Sequence, residues 1–449
     1  MAARVPAALR RAQSAVRGRP LVPARLLARG RPRLPRRLRG RGGRLAAFLA
    51  LLGPGLIAAN AGNDAGGIAT YSQVGAKYGY DLLWMMVLIT FSLALVQMLA
   101  ARMGVVTGKG LAELVRESYG IRWSAFATMA VLIANLGICI SDFVGVGAAL
   151  GLAGIPPQVS VPIAAVVIWL IIVRGSYRSA EKIFIWLTIP FFAYPIAAIL
   201  AHPHWTEVGR ALAPPHIQTN SAYLLLFVAT AGTTITPYMQ LYLQSATVER
   251  GVRIEELPNE QRQAISGAIF ADLVAAFIIV ATGATLFRHG IHSISGASDA
   301  AKALEPFAGR YAEALFGVGL LGASLLACAI LPIATSYVVA ESLGFEKGLG
   351  HRPGEAPVFV GVITAMILVA TIVAVIPGIP VIGLLVGVQV VNGVLLPINL
   401  FFIWRLSRSR RIMGEHRNRG MPDALAAVTV AVTSTLSIVL VVVTVAGLL

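Results

Sequence analysis

The residues best placed to do chemistry surround one carboxylate, Asp64, in the segment GPGLIAANAGNDAGGIATYSQ (residues 53–73). Gly62, Gly66 and Gly67 bracket it, and Asn60 and Asn63 stand beside it. Each glycine weakens a helix by roughly 1 kcal/mol relative to alanine. Three around one acid in an apolar stretch therefore predict unwound backbone. At bilayer depth such backbone survives only where it lines a cavity or is buried in protein. A half-helix ending there presents free carbonyls at its negative pole. Carbonyls and one carboxylate together make an oxygen cage for a cation. The competing reading is a flexible kink with a solvated acid.

A second interruption occurs in ATAGTTITPYMQLYLQS (residues 229–245). Pro237 removes a helical hydrogen bond and kinks the chain, and Gly232, Thr233, Thr234 and Thr236 lie just before it. Interrupted segments at matching places in two halves of a membrane chain point to the substrate site of an inverted-repeat transporter.

The elements that must hold these breaks are membrane helices. The chain has 449 residues, 57% hydrophobic and 13% charged, where soluble domains carry about 25% charged residues. Apolar runs of about 20 residues, enough to cross a bilayer, recur from residue 45 onward, and alternation of the barrel type is absent. Eleven spans are expected, at about 45–78, 81–103, 124–153, 159–174, 181–201, 221–245, 264–287, 312–338, 356–377, 379–405 and 423–449. The two breaks correspond if spans 1–5 and 6–10 form two repeats, with span eleven an appendage.

The net charge of +17 belongs to one tail. Residues 1–44 hold 14 Arg and no acid, and the remainder carries 23 basic and 20 acidic residues. The tail reads as a disordered cytoplasmic leader attracted to anionic lipid rather than a nucleic-acid-binding arm. Its composition also suits a transit peptide, although Pro6, Pro20, Pro23, Pro32 and Pro35 interrupt a long amphipathic helix. With the tail inside, the basic turns containing Arg102, Lys109, Arg116 and Arg122, RGSYRSAEK, Arg250, Arg253 and Arg262, and RLSRSRRIMGEHRNRG all fall on the same side. This is the asymmetry expected of a cell-membrane protein with a cytoplasmic N-terminus.

Ionisable groups within spans are costly and default to functional candidates. Asp64 and Asp142 are the deepest. Asp142 is either a packing hydrogen bond or part of an ion path. Asp272, early in span seven, and Glu181, at the start of span five, read as interfacial or interhelical hydrogen bonds. The seven histidines fall in loops or at their edges, so a buried histidine relay is not expected. Of these, the pair flanking Pro203 reads as solvated rather than zinc-binding. Cys139 and Cys328 have no metal-ligand spacing and read as small buried hydrophobes.

These segments resemble the Nramp family of divalent-metal transporters. GPG at 53–55 and DAGG at 64–67 resemble the family's GPG and DPGN, and VTGKGLAELVRESYG resembles its loop between spans two and three. TTITP at 233–237 resembles ATVMP, while VQV at 388–390, Leu396-Pro397 and Met413-Gly414 resemble the span-ten region. The likeness covers about residues 45–420. It implies an all-α five-plus-five inverted-repeat fold of the leucine-transporter type, with helices 1 and 6 broken and alternating access around one mid-membrane ion. The ion-contacting set it implies is Asp64, Ala61, Gly67, Thr233, Thr236 and Gln389. An ion or proton path would involve Asp142, Tyr238 and Gln244.

The departures have a chemical direction. Gly67 stands where the family has an Asn ligand, Thr236 where it has Met, and Thr233 where an Ala offers its carbonyl. Cys139 replaces an acid partner of Asp142, and Tyr238 and Gln244 lie near the positions of missing histidines. Thioethers favour transition metals, whereas a hydroxyl is a hard donor. Loss of the Asn and Met side chains is expected to enlarge the cavity, and Mg²⁺ is commonly held with retained waters. The sequence thus resembles the magnesium-transporting branch, with Mn²⁺ as a further substrate and little proton coupling. The alternatives are a proton-coupled Mn²⁺ or Fe²⁺ importer and an amino-acid or organic-cation transporter of the same fold. No ATP-binding motif or hydrolytic constellation suggests an enzyme. No cofactor beyond the transported ion, no nucleic acid and a monomeric state are expected.

Overall fold

The computed structural model describes residues 61–174, 192–213, 218, 220–302, 312–349 and 354–445. The Arg-rich tail, the GPG at 53–55, Asn60 and Glu181 lie outside the described residues. The helices are α1 (Ala65–Tyr78), α2 (Leu83–Thr107), α3 (Leu111–Tyr119), α4 (Ile121–Gly151), α5 (Pro157–Arg174) and α6 (Ala193–Leu200). They continue as α7 (Ser221–Thr234), α8 (Pro237–Glu249), α9 (Leu257–Thr285), α10 (Ala312–Leu343), α11 (Pro357–Ala374), α12 (Val381–Ser407) and α13 (Met421–Val445). Among the described residues, nine helical stretches are long and apolar enough to cross a membrane, with α7 and α8 counted as one. The first and fifth expected spans are represented by α1 and α6, the parts of them that are described.

Local chemistry sets the helix ends. Asn220 caps α7 by accepting a hydrogen bond from the Tyr223 amide at 2.8 Å, the usual role of Asn before a helix. Pro237 opens α8, a position where its missing N–H costs nothing. Gly108 closes α2 in the left-handed conformation at φ 64°, with its amide on the Gly104 carbonyl.

The packing pairs like with like. α2 lies against α9, α4 against α10, and α5 against α11, which are the elements that correspond in a five-plus-five repeat. The longest, α4 and α10, are joined across the bilayer by Asn135 Nδ2 donating to Thr335 Oγ1 at 2.8 Å. Near one end, the Ser124 and Ser342 hydroxyls lie 2.9 Å apart.

The turns sort to two faces. A cavity of about 620 Å³ is lined by Lys109 and Glu117 after α2 and by Arg405, Arg408 and Arg411 after α12. A second, of about 450 Å³, gathers Tyr80 and Asp81 after α1, Glu207 and Arg210 after α6, and Arg288 after α9. The turns after the second and tenth expected spans thus share one cavity, and those after the first, fifth and seventh share another.

α7 and α12 touch backbone to backbone. A Cβ added to Gly232 would overlap the Gln389 carbonyl and the Gly393 amide, and one added to Gly393 would lie 2.5 Å from the Val228 carbonyl. Neither neighbour is a side chain that can swing away. Gly232→Ala or Gly393→Ala is expected to destabilise the protein by about 1–3 kcal/mol through overpacking, read as a lower thermal midpoint in detergent. Gly387→Ala on the same helix meets open space and should leave the midpoint unchanged or higher.

Candidate cation site

Asp64 ends a single 3-10 turn (Ala61–Asn63) and begins α1. Its backbone is extended, at ψ −178°, and its Oδ1 accepts the Gly67 amide at 2.6 Å. The unwinding predicted around this acid is thus present, in the form of a capped helix N-terminus. Asp64 is completely buried.

The second break faces the first. α7 stops at Thr234, and α8 starts after Thr236, whose side chain makes no cap bond. The expected kink is a full interruption with two residues between helices. Thr233 Oγ1 points at the Gly62 carbonyl, 3.4 Å away. A Cβ placed on Gly67 would lie 2.5 Å from the Gly62 carbonyl oxygen, 3.0 Å from Thr233 Oγ1 and 3.4 Å from Asp64 Oδ1. Three oxygens, from both breaks, therefore converge on one point.

From α12, Gln389 Nε2 donates to Asp64 Oδ1 at 3.2 Å and to Oδ2 at 3.5 Å. Its Oε1 is buried with no partner among the described residues. The amide N–H occupies the position that a cation would take beside the carboxylate, and a half-turn of the amide would present oxygen instead. From α4, Asp142 Oδ1 accepts the Ala65 amide at 3.1 Å, while its Oδ2 has no partner among the described residues. Asp142 is thus both a helix-packing bond and a free carboxylate oxygen next to the break.

The anticipated site residues Asp64, Gly67, Thr233 and Gln389 come together, joined by the backbone of Ala61 in the adjoining turn. Thr236 and Tyr238 are buried at the start of α8. Gln244 is two turns further along α8, where its Nε2 donates to the Lys109 carbonyl at 2.9 Å. It lies away from the two breaks, against the turn between α2 and α3.

One expectation needs correction and another is narrowed. The space left by the absent Asn side chain is not an enlarged cavity. It is filled by the Thr233 hydroxyl and the Gly62 carbonyl, and beside it Gln389 packs directly onto Gly66. Of the two readings of Asp272, the interhelical one fits: α9 begins at Leu257, so Asp272 is mid-helix and 3% exposed, with its carboxyl toward Thr90 of α2. Asn63 Nδ2 donates to the neighbouring Ala271 carbonyl at 3.0 Å, which sets Asp272 level with the first break.

Two residues escaped the sequence reading. Asn392 Nδ2 donates to the Gly232 carbonyl, and the Tyr71 hydroxyl meets Thr234 Oγ1 at 2.8 Å. Periodicity contains both: Asn392 is three residues after Gln389, and Tyr71 is seven after Asp64. Among the described residues no group of three or more His, Cys, Asp or Glu could hold a metal. The Met239 thioether lies against Gly62 at the first break, its Sδ 3.5 Å from where a Cβ on that glycine would stand.

The model of the Nramp family, natural resistance-associated macrophage protein-like, matches residues 55–443. The chain belongs to the Nramp family. A divalent metal cation transporter MntH from Ralstonia nicotianae is 32% identical over 416 residues, covering 86% of this chain and 89% of the relative. A protein of the same description from Yersinia pestis is 30% identical over 305 residues, 66% and 74% of the two chains. Among solved structures, a manganese transporter from Eremococcus coleocola matches with a TM-score of 0.71 at 19% identity, over 89% of this chain and 87% of its own. MhsT, solved with L-phenylalanine, matches at 0.57 and 13% identity over 86% and 97%. These likenesses place the chain in the inverted-repeat transporter fold, and this Nramp protein is a multi-pass membrane protein.

The exchange of Asn for Gly at position 67 is coupled sterically to Thr233. Gly67→Asn alone should lower transport on the order of tenfold or more, because its Cβ crowds the Gly62 carbonyl and the Thr233 hydroxyl. Adding Thr233→Ala should recover part of that loss. A double-mutant cycle on initial uptake rates checks this, and strict additivity would contradict the contact.

Proposed function

We propose that this Nramp protein carries divalent metal cations across the membrane by alternating access, with Mn²⁺ as the substrate its site fits best and with proton movement coupled through Asp142. The observation that carries this reading is the convergence of the Asp64 carboxylate, the Gly62 carbonyl and the Thr233 hydroxyl where the two broken helices meet. These are oxygen donors around one negative charge, and such ligands suit Mn²⁺ as well as Mg²⁺ and Ca²⁺. The similarity to proteins named as divalent metal cation and manganese transporters points the same way.

Coupling rests on Asp142. One of its oxygens holds the amide next to Asp64 and the other has no partner among the described residues. A carboxyl with one free oxygen beside Asp64 can hold a proton and exchange it as the charge next to it changes, which supports the proton-coupled reading over an uncoupled one. The basic turns that share a face with Lys109 support placing that face in the cytoplasm.

A second reading, Mg²⁺ transport, is favoured by one feature: neither Thr236 nor Thr233 offers nitrogen or sulfur. It is disfavoured by the filling of the Gly67 space, which leaves less room for the waters that Mg²⁺ retains. Amino-acid transport fits less well, because a substrate carboxylate would meet Asp64.

Flux of Mn²⁺, Mg²⁺ and Ca²⁺ into proteoliposomes with an internal pH dye tests these readings together. Mn²⁺ uptake should exceed Mg²⁺ uptake and acidify the lumen. Asp64→Ala should abolish uptake of every ion, and Asp142→Asn should remove the acidification. Mg²⁺ uptake that exceeds Mn²⁺ uptake without acidification would replace the first reading with the second.

A further inference from the structure

We infer that the cavity of about 620 Å³ between the turn after α2 and the turn after α12 binds the phosphate headgroup of an anionic phospholipid. None of its lining residues belongs to the two helix breaks. The site is therefore separate from the cation site and independent of which ion is carried.

The lining is charged with one sign. Four of its side chains are basic, Lys109, Arg405, Arg408 and Arg411, against one acid, Glu117. Lys109 is already paired with Glu117. Arg408 lies 3.8 Å from Asp423 and 5.0 Å from the centre of the Trp404 ring. Neither the Arg405 nor the Arg411 side chain has an ion pair or hydrogen bond among the described residues. Two guanidinium groups thus border one cavity without a countercharge from the protein. A lining of this sign repels a divalent cation and draws an anion. Guanidinium groups match the oxygens of a phosphate with paired, charge-assisted hydrogen bonds.

The surroundings say which anion. Phe401 lies one turn before Arg405 on the same face of α12 and is 42% exposed. Tyr119, part of the cavity wall, meets Phe402 edge to face at 5.5 Å. Trp123 and Phe126, in the first turns of α4, are more than half exposed. Exposed aromatic rings at the ends of membrane helices mark the headgroup level of a bilayer. Met129 and Ile133 continue the exposed row of Phe126 along α4. Deeper along the same two helices, a narrow apolar crevice between α4 and α12 is lined by Ala127, Ala130, Leu395 and Ile398. A soluble anion gains nothing from this apolar surface, whereas the acyl chains joined to a lipid phosphate would cover it.

Basic turns on a cytoplasmic face are expected on topological grounds alone. Topology does not require a cavity that gathers some of them and leaves out others. Arg410 and Arg419, in the same turn after α12, are exposed and take no part in the lining. The lining itself comes from two turns. A phosphate held by both ties the end of α12 to the turn between α2 and α3.

The thermal midpoint of the purified protein in neutral detergent tests the site. Phosphatidylglycerol should raise it by roughly 5 °C, as expected of a ligand that binds only the folded state. Phosphatidylcholine, whose choline cancels the phosphate charge, should not. Arg405→Gln/Arg411→Gln should remove most of the rise and leave the midpoint without lipid unchanged. Arg410→Gln/Arg419→Gln removes the same charge from the same turn outside the cavity and should keep the rise. An equal loss in both double variants would reduce the effect to net charge and overturn the proposal. A rise with inorganic phosphate as large as with the lipid would also overturn it, by assigning the cavity to a soluble anion. Native mass spectrometry of the unaltered protein supplies a measure that needs no variant. From an equimolar mixture, phosphatidylglycerol should be retained roughly tenfold more than phosphatidylcholine, and equal retention would count against the site.

Discussion

Backbone groups freed from a helix inside a bilayer have no solvent to satisfy them, and the middle of this protein is organised around that constraint. At the first break the Gly67 amide is held by Asp64, the Ala65 amide by Asp142, and the Gly62 carbonyl by Thr233. At the second, the Gly232 carbonyl is held by Asn392 and the Pro237 carbonyl by Asn399. The partners come from α4, α7 and α12 as well as from α1. Breaking two helices therefore commits at least two others, α4 and α12, to place polar side chains beside the breaks. The same side chains are the ones available to a cation, so the scaffold and the site share their atoms.

Close approach gives this arrangement its precision. Gly66 admits the Gln389 amide, Gly67 admits the Thr233 hydroxyl, and Gly145 on α4 admits Ala65 at the start of α1. Each contact occupies the space a side chain would otherwise take. Without a hydrophobic driving force between helices in lipid, packing of small residues and interhelical hydrogen bonds hold the bundle together. Here those two devices also fix the distances between oxygens at the breaks.

Much of this was legible in the sequence. The apolar runs, the glycines around Asp64 and the proline at 237 mark spans and breaks because helix energetics are local and act on the residues that carry them. Asp272 was left between an interfacial and an interhelical reading because its depth depends on where α9 begins, and that helix starts at Leu257, seven residues before the apolar run. Asn392 and Tyr71 were passed over because an amide or a phenol on an apolar helix has no signature until its partner on another helix is known. The resemblance to the Nramp family supplied the ligand positions, but only folding shows how neighbouring substitutions adjust to one another.

That adjustment decides how ion preference should be argued. Taken singly, Gly67 reads as a ligand removed and Thr233 as an alanine enlarged. In space they form one exchange: the hydroxyl of Thr233 enters the volume that Gly67 vacates, and an oxygen donor is lost from one broken helix and gained on the other. The cage keeps its size while its donors move. For the function proposed above, selectivity is a property of the donors that both breaks present together, with Asp64 as the shared charge.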